Sequence, residues 1–194
     1  LRPLAEKGDA EAQNKYAWMH AKALGVSQNY EEAAKWWLTA ANQGNAEAAY
    51  NIGVMHIKGE VFPKDSKKGI EWLRKSAEGG FALAQFDLAA SLNEGALTQK
   101  DYPEAVRWYR KAAEQGYPAA QNSLGYMYDK GMGTKQNYDE ALKWYRKAAE
   151  QGDPPAQFNL GKKYENGEGV KQDYKTAVKY YRMAALQGFT PAQM

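Results

Sequence analysis

The sequence predicts an all-α protein, a solenoid of repeated helix pairs. Three observations carry that prediction. Gly8, Gly44, Gly80, Gly116, Gly152 and Gly188 recur every 36 residues without slippage, and a fixed period of this size is the signature of stacked supersecondary units. Apolar residues within each unit fall at helical spacing, as in Trp108, Ala112 and Ala113, and again in Trp144, Ala148 and Ala149. No segment alternates with a two-residue period for long enough to read as a strand.

The second half of each unit is the clearest helix, here called helix B. Residues 101 to 116 read DYPEAVRWYRKAAEQG and residues 137 to 152 read NYDEALKWYRKAAEQG, with related copies at 29 to 44 and 173 to 188 and a weaker one at 65 to 80. Asn29, Asp65, Asp101, Asn137 and Asp173 stand where an N-cap belongs, since a short side-chain oxygen there accepts an orphan N–H of the first turn. Glu32, Glu104 and Glu140 follow three residues later and predict reciprocal capping boxes. Lys68 and Thr176 break that pattern, which predicts weaker starts. The closing glycine fits the left-handed position after the helix.

The first half is helix A. Asp9, Asn45 and Asp153 are its N-cap candidates, and Pro118 and Pro154 fit the first helical position, where a missing N–H costs nothing. Two columns supply its buried stripe: Tyr16, Ile52, Leu88, Leu124 and Leu160, and His20, His56, Leu92, Tyr128 and Tyr164. Between them run Ala17, Gly53, Ala89, Gly125 and Gly161, whose small size predicts a close approach of neighbouring helices. Helix A ends near Gly59, Gly95, Gly131 and Gly167, and a loop of about six residues leads to helix B. The expected units are residues 8–43, 44–79, 80–115, 116–151 and 152–187 in one array over 1–194. Residues 1–7 read as the end of a preceding repeat and 188–194 as the start of a following one, as in a segment of a longer array.

Composition narrows the function. The chain has 194 residues, 44% of them hydrophobic, and a net charge of +3 with the signs interspersed. Such a balance indicates neither a polyanion partner nor an acidic tail. No apolar run approaches the roughly 18 residues of a membrane span. The absence of cysteine excludes disulfides and thiolate metal sites without assigning a compartment.

The stretch LGYMYDKGMGTKQNYDEALKWYRKAAEQG, from Leu124 to Gly152, resembles a Sel1-like repeat, and the resemblance covers essentially the whole chain. These repeats are similar to tetratricopeptide repeats with a longer internal loop. The resemblance implies a right-handed superhelix of antiparallel helix pairs and a scaffold that holds other proteins, in bacteria often in envelope, secretion, signalling or host-interaction pathways. It favours a periplasmic or secreted protein over a cytoplasmic one. The second and third units depart most from the pattern, with Ser66 and Gly69 in helix B, Val61, Phe62 and Pro63 in the loop, and Leu92 in helix A, and irregular helices are expected there first.

Catalytic and metal chemistry find little footing. His20 and His56 share a column that elsewhere holds Tyr or Leu, so they read as occupants of an aromatic core slot, and a metal would want more ligands. The Gly-x-Gly loops at 131–133 and 167–169 follow a helix and lack the Lys-Ser/Thr ending of a phosphate cradle, so they read as turn geometry. The carboxylates Glu11, Glu47, Asp87, Glu94, Asp129 and Glu165 read as solvated faces. The column Trp36, Trp72, Trp108, Trp144 and Tyr180 reads as core packing. No catalytic residue, cofactor or metal is expected.

In tetratricopeptide-like arrays the inner surface is lined by helix A residues that do not pack in the core. By position these are Asn14, Tyr50, Phe86, Asn122 and Phe158, then Trp18, Val54, Ala90, Tyr126 and Lys162, then Ala21, Ile57, Asn93, Asp129 and Glu165. Scaffold geometry does not require aromatic residues there, and exposed aromatics in a groove are common anchors of recognition. The expected function is a non-enzymatic scaffold that clasps a peptide or partner protein, with Asn14, Trp18, Tyr50, Val54, Ile57, Phe86, Asn122, Tyr126, Phe158 and Lys162 lining the groove. A segment acting on cell-wall glycans is the alternative. An RNA-binding repeat is a third reading, and the mixed charge of each row speaks against nucleic acid.

Overall fold

The structure is a computed structural model, and it describes residues 1–189. The expected start of a further repeat falls largely on 190–194, outside the described residues. The chain divides into two compact units, Leu1–Lys100 and Asp101–Met194. The first holds α1 (Arg2–Glu6), α2 (Ala10–Lys22), α3 (Tyr30–Asn42), α4 (Ala46–Lys58), α5 (Ser66–Glu78) and α6 (Ala82–Glu94). The second holds α7 (Tyr102–Glu114), α8 (Pro118–Lys130), α9 (Tyr138–Glu150), α10 (Pro154–Asn166) and α11 (Tyr174–Leu186). Among the described residues there is no strand. Within each unit every helix packs on the next. Every helix from α2 onward has 13 residues, including those of the irregular-looking second and third repeats.

The caps are those the sequence predicts. The side chains of Asn29, Asp65, Asp101, Asn137 and Asp173 each accept the N–H three residues on, at 2.8 to 3.1 Å. The reciprocal half of the capping box does not form at Asn29 or Asn137. Their own N–H groups donate to the carbonyls of His20 and Tyr128, near the end of the preceding helix A. At Asn29 the glutamate is thereby released, and Glu32 accepts the indole N–H of Trp36 one turn on; Glu104 accepts that of Trp108 in the same way. At Thr176 the hydroxyl donates to Asp173 at 2.6 Å, a local substitute for the missing glutamate.

Helix pairs close tightly where the sequence is small. A Cβ added at Gly125 would lie 2.7 Å from the Tyr145 ring, and one at Gly161 2.5 Å from the Tyr181 ring. In the second repeat the backbones themselves come close: a Cβ at Gly53 would meet the Gly69 carbonyl oxygen at 3.0 Å, and one at Gly69 would meet the Ile57 side chain and, at 2.9 Å, the Gly53 carbonyl oxygen. A Cβ at Gly79 would meet Ala46 at 2.8 Å. The start of α4 therefore faces the end of α5, and the pair is antiparallel. Gly69, a departure from the repeat pattern, is what permits this approach.

Two glycines of the Gly-x-Gly loops do more than turn the chain. Gly133 lies against the backbone of Tyr102 and Pro103, and Gly169 against Tyr138 and Leu142, each on the first turns of the preceding helix B. In the second repeat Val61 occupies the same place at φ +64°, a conformation that strains a β-branched residue.

The deepest helix B column lies one residue beyond the tryptophans. Trp37, Leu73, Tyr109 and Tyr145 are buried, as are Trp108 and Trp144, while Trp36 and Trp72 are half-buried. Lys75, Lys111 and Lys147 place their ammonium groups 4.2 to 4.5 Å from the rings of Trp72, Trp108 and Trp144. The Tyr145 hydroxyl is buried without a hydrogen-bond partner, and burial raises its pKa. Tyr145→Phe is expected to stabilise the protein by about 1 kcal/mol, because it removes an unsatisfied buried group. A lower urea midpoint for this variant would overturn that reading.

A polar ladder runs between repeats. The buried amides of Gln13, Gln85, Gln121 and Gln157 donate to Ala5, Ala77, Ala113 and Ala149, carbonyls at the end of the preceding helix B. Gln43, Gln151 and Gln187 donate in turn to Gln13, Gln121 and Gln157. The second repeat lacks both glutamines, having Ala49 and Gly79, and there the Ser76 hydroxyl donates to the Ala46 carbonyl at 2.6 Å.

Candidate binding groove

In the first unit, helix A residues that the core does not use line two adjoining clefts. One, of about 410 Å³, lies between α4 and α6. Tyr50, Val54, Ile57 and Lys58 form one wall, Asp87, Ala90, Ser91 and Glu94 the other, with Leu73 and Leu97 also in its lining. The second, of about 280 Å³, lies between α2 and α4 and is lined by Trp18, Lys22, Tyr30, Trp37, Asn51, Val54, Met55, Lys58 and Glu60, among others. Val54 and Lys58 border both clefts.

The polar groups here are organised across repeats. Glu47 accepts the Asn14 amide at 2.7 Å and the Trp18 indole N–H at 3.1 Å. Asn14 is consequently buried and presents no surface. Trp18 stays half-buried, edge-on to Trp37 at 5.3 Å, with the Lys22 ammonium 5.6 Å from its ring. The Tyr50 hydroxyl donates to Asp87 at 2.9 Å. Burial pushes the Asp87 carboxyl above the usual carboxylate range, and the Tyr50 hydroxyl pulls the other way. Phe86 is half-buried on α6.

The second unit offers a different surface. A pocket of about 130 Å³ is lined by Tyr126, Asp129, Lys130, Asn159, Lys162, Lys163, Asn166 and Glu168. Tyr126 is 43% exposed and Lys162 is exposed. Asn122 is half-buried and accepts the Asn159 amide at 2.9 Å. Phe158 packs on Tyr181 and Phe189, with the Lys162 ammonium 5.7 Å from its ring. Beneath this pocket Lys163 is buried, and its ammonium pairs with both Asp129 and Glu168. Desolvation lowers the Lys163 pKa, but the hydrogen bonds to the two carboxylates outweigh it and the net shift is upward.

The structure thus brings Trp18, Tyr50, Val54 and Ile57 together around one pair of clefts, and Tyr126 and Lys162 around another pocket. It corrects the reading of three of the six carboxylates as solvated, while Glu11, Glu94 and Glu165 are exposed as expected. Asp129 is buried in an ion pair, Asp87 is half-buried beside Tyr50, and Glu47 ties two side chains of the previous repeat. A lysine in a column that otherwise reads Met19, Met55, Ser91 and Met127 was the available signal for the buried pair. His20 and His56 keep to their aromatic slots: His20 lies edge-on to Tyr16 at 4.9 Å and His56 stacks on Phe62 at 4.6 Å. Among the described residues no group of three or more His, Asp or Glu side chains is assembled to hold a metal.

A chain of repeated, capped helix pairs is a helical-repeat protein. A family model described as Sel1 repeat matches residues 10–45, 46–81, 82–117, 118–153 and 154–189, and the chain belongs to the Sel1 repeat family. Proteins of this family are generally protein-interaction scaffolds and are typically non-enzymatic. Among solved structures, a protective antigen of uropathogenic Escherichia coli strains displaying this repeat fold is 36% identical with a TM-score of 0.88. That match covers 97% of this chain and 40% of the other. A Sel1 repeat protein from Oxalobacter formigenes is 37% identical with a TM-score of 0.87, over 95% of this chain and 76% of the other. An immunity protein from Pseudomonas aeruginosa is 26% identical with a TM-score of 0.56, over 93% and 65%. No curated protein matches the chain. Among the described residues no helix is long and apolar enough to cross a membrane.

Proposed function

We propose that this protein is a non-enzymatic scaffold whose helix A face, centred on Trp18, Tyr50, Val54 and Ile57, holds a segment of a partner protein. The observation that carries this reading is the pair of adjoining clefts meeting at Val54, lined with aromatic and branched apolar side chains in columns that elsewhere also hold Asn, Ala, Asp, Glu or Lys. Apolar concavities with a few polar groups at the rim are what peptide side chains fill.

The test uses a substitution that the fold already accommodates. Lys162 stands in the Val54 column and is exposed, so Val54→Lys places a long cation between the clefts without disturbing the core. A random peptide library panned on the wild-type protein is expected to enrich apolar-anchored sequences, and Val54→Lys to weaken their binding at least tenfold by fluorescence polarisation. Unaltered circular dichroism would show that both proteins are folded. Peptides that bind the two proteins equally would place the binding surface elsewhere.

A further inference from the structure

We propose that the α4–α6 cleft is a subsite for a basic side chain, an Arg or Lys of an extended partner segment, held between the carboxylates of Asp87 and Glu94. This rests on the reading of the helix A face as a peptide groove and specifies what one part of it selects.

Charge placement in the cleft carries the argument. Asp87 and Glu94 project from the same face of α6 seven residues apart, about 10 Å along the helix, and both line the cleft. Around them the lining is mostly apolar, with Val54, Ile57, Ala90 and Leu97, and the Ser91 side chain adds one hydroxyl. Among the described residues no Lys or Arg pairs with either carboxylate. The donor that the fold supplies to Asp87 is the neutral hydroxyl of Tyr50. Lys58 is the one cation in the lining, and its ammonium lies 3.8 Å from Glu60, toward the loop that follows α4. The cleft therefore offers two carboxylates and an apolar wall, with its own cation turned aside.

A lysine or arginine side chain matches that arrangement. Its methylene stem would lie along Val54 and Ala90, and its head would reach a carboxylate by a charge-assisted hydrogen bond. Asp87 is half-buried, and its burial disfavours the charged form. A cation seated beside it would offset that cost, which a neutral or acidic side chain would increase. An apolar side chain would fill the volume and leave Asp87 desolvated.

The test compares the wild-type protein with Asp87→Asn/Glu94→Gln. Asn51 and Asn159 occupy the Asp87 column and Asn166 the Glu94 column, so neutral amides are compatible with the fold, and the Tyr50 hydroxyl can still donate to an amide oxygen. Peptides enriched on the wild-type protein are expected to carry an Arg or Lys at a fixed distance from an apolar anchor. Replacing that Arg with citrulline is expected to weaken binding to the wild type at least tenfold, and to change binding to the double variant less than twofold. Enriched peptides with no basic preference that are still lost on Val54→Lys would overturn the subsite and leave the groove standing. Failure to enrich any peptide that Val54→Lys weakens would overturn both.

Discussion

Lys163→Met is expected to destabilise the second unit by about 3–5 kcal/mol, the usual cost of stranding one member of a buried ion pair. The Lys163 and Asp129 side chains are 4% and 6% exposed, so the carboxylate left behind has little water to turn to. Shape is not the difficulty, because Met19, Met55 and Met127 fill the same column in other repeats. The exposed Lys130, 3.6 Å from Asp129, recovers part of the loss. Lys163→Met combined with Asp129→Ala, the residue found at Ala21, is expected to regain most of the lost stability, since replacing a whole buried pair with apolar groups is often neutral. A double-mutant cycle by urea denaturation, with hydrogen exchange of the α8 and α10 amides, measures the coupling. A single Met variant as stable as the wild type would show that the pair contributes nothing.

The same network sets a pH window. The hydrogen bond from Lys163 holds the Glu168 carboxyl below its ordinary value of 4.5, so its contribution is present above that value and is lost as the pH falls through the depressed folded value. Lys163 is shifted above its ordinary value of 10.5. Its contribution is complete below 10.5 and lost as the pH rises through the raised folded value. The variant lacking Lys163 and Asp129 is accordingly expected to lose less stability than the wild type on acidification.

Gly125→Leu is expected to cost about 1–3 kcal/mol by overpacking, a fall in Tm of roughly 2–4 °C for each kcal/mol in a chain of this size. The cost must exceed the roughly 1 kcal/mol that leaving glycine gains in helix propensity. It does so because the obstruction cannot retreat. An added Cβ would lie 2.7 and 2.9 Å from the Tyr145 ring and 3.2 Å from the Ala141 carbonyl oxygen, and Tyr145 is fully buried. Gly161→Leu meets Tyr181, which is only half-buried, so its effect is expected to be smaller. A variant at position 125 that melts with the wild type would show that α8 and α9 do not cross there.

Local chemistry made the elements legible. N-caps, closing glycines and the small-residue column are written in residue types whose conformational reasons act within a few positions, and each appears where the 36-residue period puts it. Spacing likewise places Trp18, Val54 and Tyr126 in one row of helix A, but it gave no sign that Asn14, expected in the same groove, would be buried. What could not be read locally was the partner of each polar group. Glu32 was expected to turn back to its own helix start, but a carbonyl from the preceding helix already occupies that N–H, and the carboxylate serves Trp36 instead. Asp129 and Asp87 look like any surface carboxylate along the chain. Only the packing of one repeat on the next buries them, against Lys163 34 residues away and Tyr50 37 residues away. The 36-residue repeat determined the helices and their caps because those depend on short-range backbone geometry. The tertiary structure decided which charges are buried and which remain available in the clefts, because burial and pairing depend on side chains that meet only when the repeats stack.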